Sequence, residues 1–340
     1  MLQAVMTRAD EITFVETPIP EVKPGQIKMK MKRIGICGSD IHVNHGKHPY
    51  TSYPVVQGHE VSAEIVEIGA DVRGFAVGDK ITVQPQETCK ECYPCTHGQY
   101  NTCENLKVMG FQTTGMASEY FVTEAQKCMK LPHDMSWDHG AMIEPLAVAV
   151  HAVRRYGDIN GKSVLILGGG PIGNLIGQTV KAMGAVKVLL SEISPYRLGI
   201  AGKCGLEVVN SSESDLKQHI DGYFGRDGTD VIFECVGINT TINQAIRYAR
   251  KGSDIVVVGV FADLETVDMG LVQDRELRLI GTAMYREEDY TTAIALAGQG
   301  AIQFDPLITD HVPFREYPKA YEMIDMLSDK TMKIMIVMDE

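Results

Sequence analysis

Val164-Leu165-Ile166-Leu167-Gly168-Gly169-Gly170-Pro171-Ile172-Gly173 is the stretch on which the fold turns. An unbroken apolar run enters G-x-G-x-x-G, and Asn174 to Met183 continues at helical spacing, so the segment reads as strand, tight turn and helix. A glycine string alone is common in loops. Its flanks give this one meaning: Pro171 carries the fixed φ suited to an early helix position, Gly184 can end the helix, and a second apolar run, Val186 to Leu190, leads to Glu192.

Each residue has a chemical reason. Gly168 suits the tight turn, Gly170 allows a pyrophosphate to approach the backbone, and Gly173 lets helix and strand touch. Pro171, Ile172 and Gly173 open the helix whose free N–H groups and dipole receive the anion. Glu192, 24 positions after Gly168, is placed to accept the adenosine ribose hydroxyls, and a carboxylate there repels a 2′-phosphate. NAD is therefore expected over NADP. Arg197 is a further candidate cofactor contact, with a solvated helix position as its alternative.

Outward from this unit, Val231 to Phe233, Ile255 to Val258 and Leu277 to Ile280 alternate with segments of helical period such as Asn239 to Arg250, which predicts a βαβ series and a parallel sheet. Upstream the texture is β-rich, with Gln26 to Ile34, Val61 to Ile68 and Lys80 to Val83 separated by glycine turns. Helical spacing from Ser136 to Tyr156 marks the boundary. The expected division is 1–148 with 286–340 as one domain and 149–285 as the cofactor domain. Ile255 to Phe261 and Leu277 to Ile280 are apolar strands that could join sheets between copies or lie inside one.

The chain has 340 residues, 44% hydrophobic and 22% charged, which fits a globular protein. Its net charge of −12 offers no basic footprint, so a nucleic-acid partner is not expected. No apolar stretch follows the N-terminus and no run reaches membrane-spanning length, so neither export nor a membrane partner is expected. Eight cysteines in such a chain suggest reduced thiols in a cytoplasmic protein, where clustered cysteines favour metal.

Cys89, Cys92, Cys95 and Cys103 form C-x2-C-x2-C-x7-C in a polar loop, a spacing that can wrap a tetrahedral Zn²⁺. An iron–sulfur cluster also uses four cysteines, but the common cluster spacings do not match. Four protein ligands leave no open position, so this zinc is expected to be structural. Cys128, Cys204 and Cys235 match no motif and read as ordinary structural residues. A second set, Cys37-Gly38-Ser39-Asp40-Ile41-His42, Gly58-His59-Glu60 and Glu144-Pro145, offers a thiolate, an imidazole and two carboxylates, enough for a catalytic zinc with an open position.

Together these motifs resemble the zinc-dependent medium-chain alcohol and polyol dehydrogenases over essentially the whole chain. The resemblance implies an α/β protein with a GroES-like β-rich catalytic domain and a Rossmann doubly wound parallel-sheet cofactor domain. It implies two zinc ions per chain, the catalytic one held by Cys37 and His59 with Glu60 or Glu144 completing the shell. It also implies that Ser39 takes the proton of the alcohol and passes it through the nicotinamide ribose to His42, an imidazole suited to exchange with solvent. The Glu-Pro at 144–145 resembles the sorbitol and threonine dehydrogenase branch.

The implied reaction is hydride transfer from a secondary alcohol of a polyol, sugar or sugar acid to NAD⁺, giving a ketone. L-Threonine 3-dehydrogenase and 2,3-butanediol dehydrogenase are the nearest alternatives, and a catalytically inert nucleotide-binding or structural relative is the alternative from another class. A homotetramer or homodimer is implied. Where sorbitol dehydrogenases carry a late Arg-Tyr pair, this chain has Met284-Tyr285, with Arg286 next.

Overall fold

Strands that read as unbroken apolar runs, rather than as an in–out alternation, have both faces covered. Ser163–Leu167 is such a strand, with Val164, Leu165 and Ile166 fully buried. It sits within a six-stranded parallel sheet whose order is Glu207–Asn210, Lys187–Glu192, Ser163–Leu167, Val231–Glu234, Asp254–Val257, Arg278–Gly281. The strand order reverses between Ser163–Leu167 and Val231–Glu234, the switch point at which doubly wound sheets bind ligands. The expected parallel-sheet domain is present.

The computed structural model describes residues 1–338, so the last two positions of the expected 286–340 segment lie outside the described residues. The chain forms two units, Met1–Glu144 with Arg286–Ile294 and Ile308–Glu340, and Pro145–Tyr285 with Ala295–Leu307. The segment Ala295–Leu307, expected with the first unit, falls in the second. Gln303 N donates to Gln178 Oε1 at 2.6 Å and Gln178 Nε2 donates back to Gln303 O at 3.3 Å, tying the segment to the helix Pro171–Ala182.

The first unit is built on Gln26–Gly35, which pairs antiparallel with Glu60–Ile68, Tyr120–Glu124 and Lys333–Val337 in a seven-stranded sheet. Its alternation is visible in the sequence: Ile27, Met29 and Met31 are fully buried, while Lys28 and Lys32 point outward to Glu67 and Glu64. The register sets Gly35 opposite both Glu60 and Met335, so three distant segments meet at one sheet position. A hairpin of Leu2–Arg8 and Glu11–Glu16, which the sequence reading did not single out, pairs separately. The expected helical stretch from Ser136 to Tyr156 is two helices, Trp137–Ala141 and Ile143–Tyr156. No helix among the described residues is long and apolar enough to cross a membrane.

The glycine loop leaves Ser163–Leu167 with Gly168 at φ +103°, a conformation L side chains rarely adopt. A Cβ at Gly173 would lie 1.9 Å from Gly168 O, whereas one at Gly170 would meet nothing within 4 Å. The two glycines therefore serve different ends, one closing the turn and the other leaving space. Gly173→Ala is expected to cost about 1–3 kcal/mol in thermal or urea unfolding, and Gly170→Ala to stay within about 0.5 kcal/mol of the parent.

Candidate functional site

Cys37 precedes the helix Gly38–Asn44, and its own N–H donates to Asp40 Oδ2 at 2.9 Å. His59 and Glu60 stand at the start of the strand Glu60–Ile68, so one strand end presents an imidazole and a carboxylate in succession. The structure brings Cys37, His59 and Glu60 together, with their ligand atoms all within 4.8 Å of one another. His59 and Glu60 are buried and Cys37 is half-buried.

Glu60 has room because its partner across the sheet is glycine: a Cβ at Gly35 would lie 2.3 Å from Glu60 Oε2. Its carboxylate meets the ammonium of Lys333, at 2.8 Å from Oε1 and 2.6 Å from Oε2, and Lys333 also donates to Ile36 O at 2.9 Å. Burial alone would pull the Lys333 pKa down; Glu60, with Cys37 and Glu144, outweighs burial and holds it above the ordinary lysine value. Glu144 is buried in the first turn of Ile143–Tyr156 and is not part of the triplet, although its charge acts on Lys333.

The cluster is anionic. Asp40, Glu60 and Glu144 are buried carboxylates, with Lys333 as the ammonium among them. Burial would lower the His59 pKa, yet Asp40 and Cys37 outweigh it and raise it well above the usual value. His59 Nδ1 faces Asp40 Oδ1 at 3.5 Å without a hydrogen bond of good geometry, and the ring packs on Phe111 with centroids 5.0 Å apart. Phe111 in turn stacks on His48, at 4.9 Å and 18°, whose pKa is lowered by burial and by His42. A thiol, an imidazole and a carboxylate converging in a buried, negatively charged site fit a zinc ion. Ser39, half-buried, and His42, exposed, lie three residues apart on Gly38–Asn44 and so share a face of the helix.

The four loop cysteines converge as well. Sulfur separations are 3.5 Å for Cys89–Cys103, 3.9 Å for Cys92–Cys103 and 4.0 Å for Cys89–Cys95. A regular tetrahedron of Zn–S bonds of about 2.3 Å has S···S edges of about 3.8 Å, so the loop is shaped for that ion. The N–H groups of Glu91 and Cys92 pull the Cys89 thiol down to about 6, while burial and the neighbouring sulfurs push Cys95 up to about 12. Thiols this close resist ionising together unless a cation stands among them. Cys128 and Cys204 are buried and Cys235 half-buried, and none of the three belongs to either cluster.

In the second unit, Gly170 caps Pro171–Ala182 with Pro171 in its first turn, and Ile172 and Gly173 follow. Glu192 ends the neighbouring strand, and its carboxylate is already engaged: Gly169 N donates to Oε2 at 2.7 Å, and Ile193 N and Ser194 N donate to Oε1 at 2.7 and 3.0 Å. A carboxylate has about four lone-pair sites, so one remains on Oε2 for a further donor. Arg197, in the helix Pro195–Lys203, has a buried Nε with no hydrogen-bond partner. Lys333, Phe111 and Asp40's contact with His59 lay outside the sequence reading, since each is made across large separations and carries no local spacing signal.

Residues 23–133 match the family model for the alcohol dehydrogenase GroES-like domain, and residues 171–299 match that for zinc-binding dehydrogenases. The chain is 35% identical to a 2-dehydro-3-deoxy-L-galactonate 5-dehydrogenase of Pseudoalteromonas atlantica, covering 88% of each. It is 34% identical to an L-threonine 3-dehydrogenase of Pyrococcus horikoshii, over 96% of this chain and 94% of that one. A zinc-binding dehydrogenase from Sinorhizobium meliloti, solved bound to NADP, superposes with a TM-score of 0.91 at 30% identity over 99% of both chains. By its motifs, its two unit folds and these likenesses, the chain belongs to the zinc-dependent medium-chain alcohol and polyol dehydrogenase family.

Proposed function

We propose that this protein oxidises a secondary alcohol of a polyol, sugar or sugar acid to the ketone, with NAD⁺ as acceptor and zinc at Cys37, His59 and Glu60. The observation that carries the reading is the convergence of those three ligand atoms within 4.8 Å in a buried anionic pocket. Lewis acidity at a substrate hydroxyl is what the metal supplies when bound, and a hydride acceptor is what the nicotinamide supplies.

The chain's own residues do the rest. Ser39 holds the hydroxyl and takes its proton, and His42, exposed one turn further along the helix, exchanges that proton with solvent. Asp40 orients Cys37 and His59 at once, through the Cys37 N–H and the His59 ring. Lys333 steadies Glu60, and Phe111 walls the imidazole with an apolar face that excludes water. Glu144 stands outside the three converging ligand atoms, and its charge acts on the Lys333 ammonium. The Cys89, Cys92, Cys95 and Cys103 loop holds the second zinc as a structural brace.

Gly170 leaves space for the pyrophosphate at the head of Pro171–Ala182, Glu192 offers its remaining lone pair to a ribose hydroxyl, and the unpartnered Arg197 Nε donates to the same end of the dinucleotide. Asp254–Val257 has neighbours on both sides, so of the two stretches considered for pairing between copies only Arg278–Gly281 is an edge strand; with Leu279 40% exposed, it supports self-association into a homodimer or homotetramer.

The test is NADH formation by zinc-loaded protein across sugar alcohols, sugar acids, butanediol and threonine. Turnover on a hydroxyl-rich compound supports the reading; turnover on threonine alone moves it to the amino-acid branch, and silence with a single zinc per chain sinks it. Cys37→Ser, His59→Ala and Glu60→Gln are each expected to remove activity and one of two zinc ions by metal analysis, with the fold intact; full activity in the first two would refute the site. Glu192→Ala is expected to weaken NADH binding relative to NADPH in fluorescence titrations, and an unchanged ratio would show that another residue reads the ribose.

A further inference from the structure

Behind the metal triplet lies a run of buried polar side chains that the proposed reaction leaves unexplained. Gln57 is 2% exposed, Tyr321 3% and Asp40 fully buried, in surroundings otherwise dominated by Ala4, Met6, Val43 and Ala117. The Tyr321 hydroxyl, from the helix Tyr317–Leu327, donates to Gln57 Oε1 at 2.5 Å. Gln57 Nε2 donates to Asp40 O at 3.2 Å and to Asp40 Oδ1 at 3.3 Å. Asp40 then meets two of the three proposed metal ligands, taking the Cys37 N–H on Oδ2 and facing His59 Nδ1 with Oδ1.

The polarity of this chain of contacts is forced. An ionised carboxylate only accepts, so Gln57 must turn its NH₂ to Asp40, and its carbonyl oxygen then points the other way and needs a donor. Tyr321 is that donor, and burial keeps its hydroxyl protonated by raising its pKa well above the ordinary tyrosine value. An apolar side chain at position 57 would fill the same space more cheaply, because a buried amide gains little net stability even when fully satisfied. What an amide adds is direction: it holds Asp40 Oδ1 on the side of His59 and so holds the imidazole with Nε2 turned away from Asp40.

We infer that Gln57 and Tyr321 are positioning residues for the catalytic metal, acting through Asp40 to orient His59. The inference rests on the zinc site of the proposed function. It differs from a packing role in what it predicts: loss of the relay alters the metal site itself, whereas a packing role alters only stability.

The experiment loads the full-length protein with zinc and follows release of each ion to a chelator for the parent, Tyr321→Phe, and the double variant Gln57→Leu/Tyr321→Phe, which removes the amide together with the hydroxyl that pairs with it. The Cys89–Cys103 loop provides an internal reference. Both variants are expected to lose the Cys37–His59 zinc about tenfold faster, to keep the loop zinc at the parental rate, and to shift the visible absorption bands of the cobalt-substituted protein. Parental release and unmoved cobalt bands in either folded variant would overturn the relay, whatever the change in melting temperature. A parent that binds only the loop zinc would instead overturn the metal-site reading, and the relay with it.

Discussion

Buried negative charge is the constraint around which the first unit is organised. Asp40, Glu60 and Glu144 are held out of water beside the Cys37 thiol, and ionised groups so placed are tolerated only when paired, hydrogen-bonded or bound to a cation. The sheet answers this in its register. Gly35, lacking a Cβ, admits the Glu60 carboxylate, and the strand Lys333–Val337 runs beside Gln26–Gly35 so that its first residue delivers an ammonium to the same point. The remaining negative charge is what suits the site to a divalent ion.

The two units meet their ligands by different physics. In the first, the proposed metal site draws on charge and soft donor atoms, and strand ends plus one short helix bring those atoms within a few ångströms of one another. In the second, backbone does the selecting: a turn closed by Gly168 and Gly173, a space left at Gly170, and a helix N-terminus supply N–H groups rather than side chains. Glu192 belongs to both purposes, since the carboxylate expected to read a ribose also ties Gly169 to the turn at Ile193 and Ser194.

Local spacing made much of this legible. The glycine loop, the four cysteines and the Cys37 and His59 motifs each lie within a short window whose residue types have few other uses, and alternation in Gln26–Gly35 marks a strand with one buried face. What escaped is carried by single residues meeting across the chain. Lys333 lies 273 positions from Glu60 and Tyr321 lies 264 from Gln57, and nothing periodic announces either pairing. Ala295–Leu307 was misplaced for a related reason: its attachment to the second unit depends on one glutamine meeting another across 125 positions. Spacing likewise does not separate Glu60 from Glu144, because both lie at the start of well-formed elements, and the convergence of Glu60 with Cys37 and His59 is visible only in three dimensions.

The Lys333 ammonium also has a bearing on how the molecule is made. At about 5–20 residues per second, a ribosome that has just added Glu60 needs roughly 14–55 seconds to reach a residue 273 positions later. Throughout that interval the nascent first unit holds its carboxylates without their neutralising partner and its sheet without the closing strand. The whole second unit, through Leu307, is synthesised in the meantime. The pocket around Glu60 is therefore complete only once a distant strand has been made, whatever the order in which the candidate ligands themselves emerge.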